Sequence, residues 1–415
     1  MTGAIAALGP PEFDRLMAPL GPFGDAPRLA AGVSGGPHSL ALALLAAQWA
    51  KTRGGDLLAL VVDHGLRPDS RSEADAVAAS LAALAIPARV LRLGLPSGSG
   101  VQERARDRRM AAMLRACAET GRPWLLLGHH RADQAETLLF RALRSSGPAG
   151  LAAMAAVRPA ASALVLRPLL DVAPARLEAV VAAAGLVPVR DPSNDDPRFV
   201  RTGLRRALAD PGGTGPQVAA LAEAAAAFGR RRLRAEAATA SRLAGCARLY
   251  PEGFAEVDPC ALGDDAAADS ALAELLGAVG GAARPPSASA VRQLRRRGRG
   301  TLAGAWLRPS GAAWRILREP GAVAAPVPAR TGTVWDRRFR VLGEGKGCCV
   351  LGPLGAPNRA LRRAAPGLPS AVLTTFPAVR RDGALVAVPA LLYRDRQTCA
   401  RFALVFAPAG GPVAG

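Results

Sequence analysis

Lysine is almost missing from this chain. All but two of its 53 basic residues are arginine, the exceptions being Lys51 and Lys346, and aromatic residues make up only 4%. Few rings interleave the arginine clusters, so base stacking is not indicated there as a mode of nucleic-acid binding. No run of about 18 uncharged apolar residues reads as a membrane span, and no membrane partner is expected. The N-terminus offers Glu12, Asp14 and Arg15 but no basic segment ahead of an apolar stretch, so a signal peptide is not expected and the cytoplasm is the default location. The six cysteines (Cys117, Cys246, Cys260, Cys348, Cys349 and Cys399) include no CxxC pair. That spacing excludes a zinc ribbon or thioredoxin-like site and leaves isolated small hydrophobes in a reducing compartment.

Much else is present in excess. With 415 residues, half of them apolar, the chain can build more than one core, and its length suggests two or three domains. The net charge is +20. GC-rich codon usage accounts for arginine over lysine but less well for the excess of positive charge, and arginine's planar fork suits bidentate phosphate contacts. A polyanionic partner is implied.

The first 200 or so residues alternate short apolar runs with amphipathic stretches. Strands are predicted at Arg28–Val33, Leu57–Asp63, Ala88–Leu93, Trp124–His129 and Leu164–Leu170. Helices are predicted near His38–Thr52, Arg71–Leu84, Val101–Thr120 and Asp133–Arg144. Such alternation implies βαβ crossovers and a doubly wound, mostly parallel sheet, with ligands at the carboxyl ends of the strands. The Pro/Gly cluster at 211–216 reads as a linker. Beyond it come an Ala-rich helix from about Gln217 to Leu243 and a hairpin, Leu302–Leu307 with Ala313–Leu317, turning at Pro309-Ser310-Gly311. The expected architecture is α/β. Residues 1–210 form the catalytic domain, 217–325 a mainly helical subdomain with a hairpin, and 331–415 a small α+β C-terminal region.

The strongest chemical signal is Val33-Ser34-Gly35-Gly36-Pro37-His38-Ser39, between an apolar strand and an apolar helix. Glycines let backbone N–H groups approach a phosphate, the helix start adds partial positive charge, and the two serines supply hydroxyls. A ligand-free βα turn is the bland alternative. Three further segments weigh against it, each with polar groups at a strand tip or loop: Val61-Val62-Asp63-His64-Gly65-Leu66-Arg67, Gly128-His129-His130-Arg131-Ala132-Asp133-Gln134-Ala135-Glu136-Thr137, and Asp191-Pro192-Ser193-Asn194 ahead of Arg198, Arg201 and Arg205.

In this order the segments resemble the PP-loop ATP pyrophosphatase superfamily and, within it, the tRNA(Ile)-lysidine synthetase family. The resemblance is dense over residues 28–206 and thins beyond. It implies an adenine nucleotide α-hydrolase-like fold and an enzyme that uses ATP and magnesium to adenylate the wobble cytidine of a CAU-anticodon tRNA(Ile). Free lysine then displaces AMP. On this resemblance Ser34, Gly35, Gly36, Pro37, His38, Ser39 and Asp63 bind the nucleotide, Asp133 and His38 are catalytic, and Asp133 holds magnesium. The family loop usually has an acid where His38 stands. Imidazole is a poor magnesium ligand, so the expectation is magnesium held by Asp133 and ATP oxygens alone.

The other candidates are weaker in isolation. Asp133 and Glu136 also fit a capping box. Glu103 and Asp107 lie at i, i+4 and read either as salt-bridge lacing or as a pocket for the lysine ammonium. Arg198, Arg201 and Arg205, with Arg295, Arg296 and Arg297, read as solvated charge or as tRNA phosphate contacts. Assembly is left open between monomer and homodimer. Two alternatives remain: another PP-loop tRNA-modifying enzyme of thiolase type, disfavoured by the absence of CxxC, and a catalytically impaired RNA-binding relative.

Overall fold

The computed structural model describes residues 5–63, 65, 69–93, 101–160, 162–189, 200–343, 348–391, 393–394 and 402–408. They separate into two compact units, residues 1–233 and 234–415.

The first unit begins with α1 (Pro10–Met17), then β1 (Arg28–Val33), α2 (Pro37–Lys51), β2 (Asp56–Asp63), α3 (Ser70–Ala83), β3 (Ala88–Arg92), α4 (Val101–Thr120), β4 (Trp124–Leu127) and α5 (Arg131–Leu143). It continues through α6 (Pro148–Leu151), β5 (Val157–Pro159), β6 (Leu164–Leu166), α7 (Pro174–Ala183) and α8 (Val200–Leu208). Helix α9 (Pro216–Cys246) runs without a break through the division between the units.

The six strands form one sheet in the order β3-β2-β1-β4-β6-β5, parallel except for the edge pair β5–β6. Strand order reverses between β1 and β4, the point at which such sheets open a ligand crevice. Alternation sorts the strand residues to two faces. Ala31, Val33, Leu126 and Leu166 pack on one side with α2 and α7. Ala30, Leu60, Leu125, Leu127 and Val165 pack on the other with Met113 and Ala116 of α4. The predicted strands and helices of residues 28–144 recur with small shifts at their ends. Three points differ: β6 stops at Leu166, well short of Leu170, β5 adds an antiparallel edge, and α1 and α7 had no distinct sequence signal.

The second unit holds β7 (Ala247–Tyr250), β8 (Phe254–Val257), α10 (Pro259–Leu262), α11 (Ala266–Gly280), α12 (Ala288–Arg297), β9 (Gly300–Leu302), β10 (Ala305–Ser310) and β11 (Ala313–Arg318). These strands make an antiparallel sheet in the order β7-β8-β11-β10-β9, against which α11 and α12 bury their apolar faces. The hairpin is therefore partly corrected. Pro309 and Ser310 are strand residues paired with Trp314 and Ala313, so Gly311 and Ala312 make the turn, and a second tight turn at Ala303-Gly304 separates β9 from β10. The remainder comprises β12 (Val327–Pro328), β13 (Val334–Trp335), β14 (Phe339–Val341), β15 (Val350–Pro353), α13 (Arg359–Ala364), α14 (Ser370–Thr374), β16 (Pro377–Arg381), β17 (Ala384–Val388), β18 (Tyr393–Arg394) and β19 (Leu404–Phe406), in two small sheets.

Between hairpin and C-terminal sheets lies a buried ion cluster. Asp336, 2% exposed at its side chain, accepts from Arg318 Nε at 2.9 Å and NH2 at 2.6 Å, from Arg338 Nε at 2.8 Å and from the Ala324 N–H at 2.9 Å. The remaining donors reach carbonyls of Gly280, Gly304, Ala322 and Gly253, leaving only Arg338 NH2 without a partner.

Candidate active site

The turn between β1 and α2 is built by its glycines. Gly35 takes a φ of +80°, a region other residues enter at a cost, and its carbonyl accepts the Val189 N–H at 2.9 Å. Gly36 caps α2 and Pro37 occupies the first helical turn, where a missing N–H costs nothing. A Cβ on Gly36 would meet only Ser34 Oγ, at 3.5 Å, so the helix start is open. Ser39 ties the turn: its Oγ donates to Gly36 O at 2.9 Å, accepts the Ser34 N–H at 3.1 Å and lies 3.2 Å from Ser34 Oγ.

The end of β4 meets this turn. A Cβ on Gly128 would come within 3.0 Å of the His38 carbonyl oxygen and 3.2 Å of Ser39 Cα, so glycine lets the two backbones close up. The following residues then arrive beside the turn. The ring of His130 lies edge to face on His38 at 4.1 Å between centroids. Asp133 accepts the His130 N–H at 3.0 Å and lies 3.5 Å from His130 Nε2, so the capping box joins His130 and Asp133 one turn earlier than the Asp133–Glu136 pair expected from the sequence. From α7, Glu178 Oε1 approaches His38 Nε2 to 3.6 Å.

Electrostatics set the protonation states. Burial, with His130 and Arg205 acting in the same sense against Asp133, pushes His38 down to about 3. Burial likewise takes His129 down to about 4, opposed by Asp133 and helped by Arg167, Arg106 and Arg109. Both are neutral near pH 7. Burial would raise the Asp133 carboxyl, but His130, His129, the His130 N–H and His38 outweigh it and hold Asp133 below the ordinary carboxylate range. His38 Nε2, His129 Nδ1 and His130 Nδ1 are buried without a hydrogen-bond partner. Buried polar groups are normally paired, so a group of orphans around one turn is what a ligand site presents before its ligand arrives.

The other predicted residues fall elsewhere. Asp63 is buried at the tip of β2, where its Oδ1 accepts from the Gly65 N–H at 2.9 Å and Ser70 Oγ at 2.7 Å. Asp107 on α4 is exposed, not the buried carboxylate that cation selection would favour, and the Glu103 side chain lies outside the described residues. Arg198 and the Arg201 side chain also lie outside them. Arg205 forms a two-point ion pair, Nε to Oε1 at 2.8 Å and NH2 to Oε2 at 3.3 Å, with Glu136, which is 1% exposed. Arg295 spends its fork on Asp269 and on the Gly263 and Asp264 carbonyls, while Arg296 and Arg297 point into solvent. Residues that sequence reasoning missed are Glu136 as Arg205's partner, Glu178, and a group of arginines around Arg167. An arginine inside the apolar run Leu164–Leu170 was the available signal for the last.

The PP-loop domain family model matches residues 11–211. A protein of Bradyrhizobium sp. named tRNA(Ile)-lysidine synthase is 47% identical over 197 residues, covering 47% of this chain and 54% of that one. One of the same name from Ruegeria pomeroyi is 34% identical over 378 residues, covering 87% and 88%. Another, from Methylobacterium nodulans, is 36% identical over 341 residues, covering 77% and 98%. For the first four curated relatives the match spans only 54% to 63% of their length.

Proposed function

This chain belongs to the tRNA(Ile)-lysidine synthase family, and from that premise we propose that it is an ATP-consuming ligase joining free lysine to the wobble cytidine of a CAU-anticodon tRNA(Ile). The observation that carries the reading is the convergence of an open, glycine-built helix start with His130 and Asp133 from the next strand of the switch point. In this reading the turn from Ser34 to Ser39 holds the phosphates through backbone N–H groups and two hydroxyls. The carbonyl oxygen of the cytosine ring attacks the α-phosphorus of ATP and pyrophosphate leaves. The lysine amine then adds at the activated ring carbon, AMP departs with that oxygen, and lysidine results.

Magnesium fits this site only in part as protein chemistry. Among the described residues no group of three or more His, Cys, Asp or Glu could hold a metal. One carboxylate plus nucleotide oxygens is nevertheless an ordinary magnesium environment. Asp133 would hold the ion, which would neutralise phosphate charge, with neutral His38 beside the phosphates as a hydrogen-bonding group. His38→Asp should change both the magnesium dependence and the ATP affinity; unchanged values would sink this assignment.

The same proposal divides the chain into a catalytic domain (1–210), a tRNA-binding subdomain (217–325) and a C-terminal region (331–415), with Arg198, Arg201, Arg296 and Arg297 facing tRNA, Glu103 and Asp107 toward lysine, and Arg205 and Arg295 turned instead to Glu136 and Asp269. Asp63 then supports the nucleotide site from the tip of β2. Among the described residues no helix is long and apolar enough to cross a membrane. The assay is direct. Purified protein, ATP, magnesium, labelled lysine and a CAU-anticodon tRNA(Ile) transcript should give label in that RNA, with AMP released. Initiator and elongator tRNA(Met) should stay unlabelled; labelling of all three, or of none, overturns the reading.

A further inference from the structure

The two faces of the sheet end in different chemistry at the carboxyl edge. On the α2 face stand the glycine turn, His38, His130 and Asp133. On the α4 face, arginines gather. Val165 is buried on that face, and Arg167 follows directly past the end of β6, its N–H still bonded to the Ala156 carbonyl at 2.8 Å and its charge acting on that of Arg158. Arg158 is the cross-strand partner of Val165 in the β5–β6 ladder, so it points the same way. Helix α4 covers this face and brings Arg109.

These cations are poorly compensated. Arg167 is 7% exposed, donates through NH1 to the Ala155 carbonyl at 2.8 Å, and leaves its Nε buried without a partner. Among the described residues neither Arg167, Arg158 nor Arg109 forms an ion pair with a carboxylate. Burial, then Arg158 and Arg106, depress Arg167 to about 10, and burial, then Arg106, depress Arg109. Arginine cannot relieve such crowding by losing its proton, and uncompensated buried charge is strongly unfavourable. An anion relieves it.

Resting on the RNA-modifying reading above, we propose that Arg158, Arg167 and Arg109 form a phosphate subsite for the RNA strand, holding a backbone phosphodiester next to the modified base. The nucleotide's triphosphate sits on the opposite face of the same edge, so base and ATP meet across the switch point with their phosphates kept apart. Arg158, at the exposed edge strand, makes first contact, and the buried Arg167 supplies charge that water screens little.

The test uses the full chain and a 17-nucleotide anticodon stem-loop of tRNA(Ile), with binding followed by fluorescence anisotropy across salt concentrations. Arg158→Ala should weaken RNA binding roughly three- to tenfold and lower the slope of log affinity against log salt by about 0.7–0.9, the worth of one phosphate contact. Calorimetric affinity for a non-hydrolysable ATP analogue should not change. Replacing the phosphodiesters flanking the target cytidine one at a time with neutral methylphosphonates should reveal one position that costs wild type the same factor and costs Arg158→Ala nothing. Arg167→Lys, which keeps charge but loses the fork, should show the same pattern, and Arg158→Ala remains informative if it misfolds. Unchanged RNA affinity and slope overturn the proposal. So does a loss confined to the ATP analogue, which would hand the corner to the nucleotide. Failure of wild type to transfer lysine would instead strike the parent reading, since the binding arms are read without catalysis.

Discussion

The first unit and the second each bury a knot of ionic and polar side chains, and the two knots are finished to different degrees. Around the β1–α2 turn, three buried histidine nitrogens have no partner. Around Asp336, two arginines, a carboxylate and five backbone groups satisfy one another with one nitrogen left over. Equal burial thus serves opposite ends. A nearly saturated cluster fixes a fold, since any loss leaves charge stranded in a low dielectric. A cluster with several open valences is held in place by its surroundings and is completed by what binds.

The contrast can be broken most severely at its saturated end. Asp336→Asn strands two guanidinium groups in the core and should cost about 3–5 kcal/mol, read as a lowered denaturation midpoint for the second unit. At the open end, Asp133→Ala should reduce lysine transfer roughly ten- to hundredfold and, through the lost cap of α5, cost only about 1 kcal/mol of stability. Equal damage to stability at both positions would erase the distinction. Arg205→Ala is intermediate. It leaves the buried Glu136 carboxylate without its partner and should destabilise the first unit by about 1–3 kcal/mol, whereas a residue serving tRNA alone would lose RNA affinity and no stability.

Acid should separate the two units as well. His38 and His129 titrate at about 3 and about 4 when folded against 6.5 for the ordinary side chain. Their neutral forms are favoured by folding, so their contribution is complete above about pH 6.5 and is lost as pH falls towards 4. Asp336 is depressed below its ordinary 3.8, because Arg318, Arg338 and the Ala324 N–H outweigh burial; its contribution persists until pH falls below that value. Melting curves between pH 7 and 4 should therefore soften the first unit before the second, and His38→Gln should flatten the trend. The smallest effect is expected at the exposed pair Arg296 and Arg297. Reversing both should leave stability within about 0.5 kcal/mol and lower the RNA salt slope by roughly 1.4–1.8.

Much of the first unit was legible because apolar periodicity and glycine punctuation are local. Strand β1 and helix α4 match their predicted limits, and the turn from Ser34 to Ser39 sits where strand, Gly-Gly and helix demanded. What stayed hidden is not local. Arg205 shows a helical stripe with Arg201 in sequence, but its pairing with Glu136 across 69 residues has no periodicity to betray it. Glu178 reaches His38 because α7 packs beside α2, an arrangement further secured by Arg176 gripping Glu12 of α1 at 2.7 and 2.6 Å. The hairpin was misplaced by the usual reading of Pro-Ser-Gly as a turn, when Pro309 and Ser310 instead close the ladder of β10.

The vacancy at Gly128 has a consequence for how this protein can change. With only 3.0 Å between an imagined β-carbon and the His38 carbonyl, one methyl group would act as a wedge under two histidines and a helix at once. Gly128→Ala should therefore behave like a site mutation in a residue that has no functional group. How closely β4 can approach the turn is set by a carbon atom that is not there.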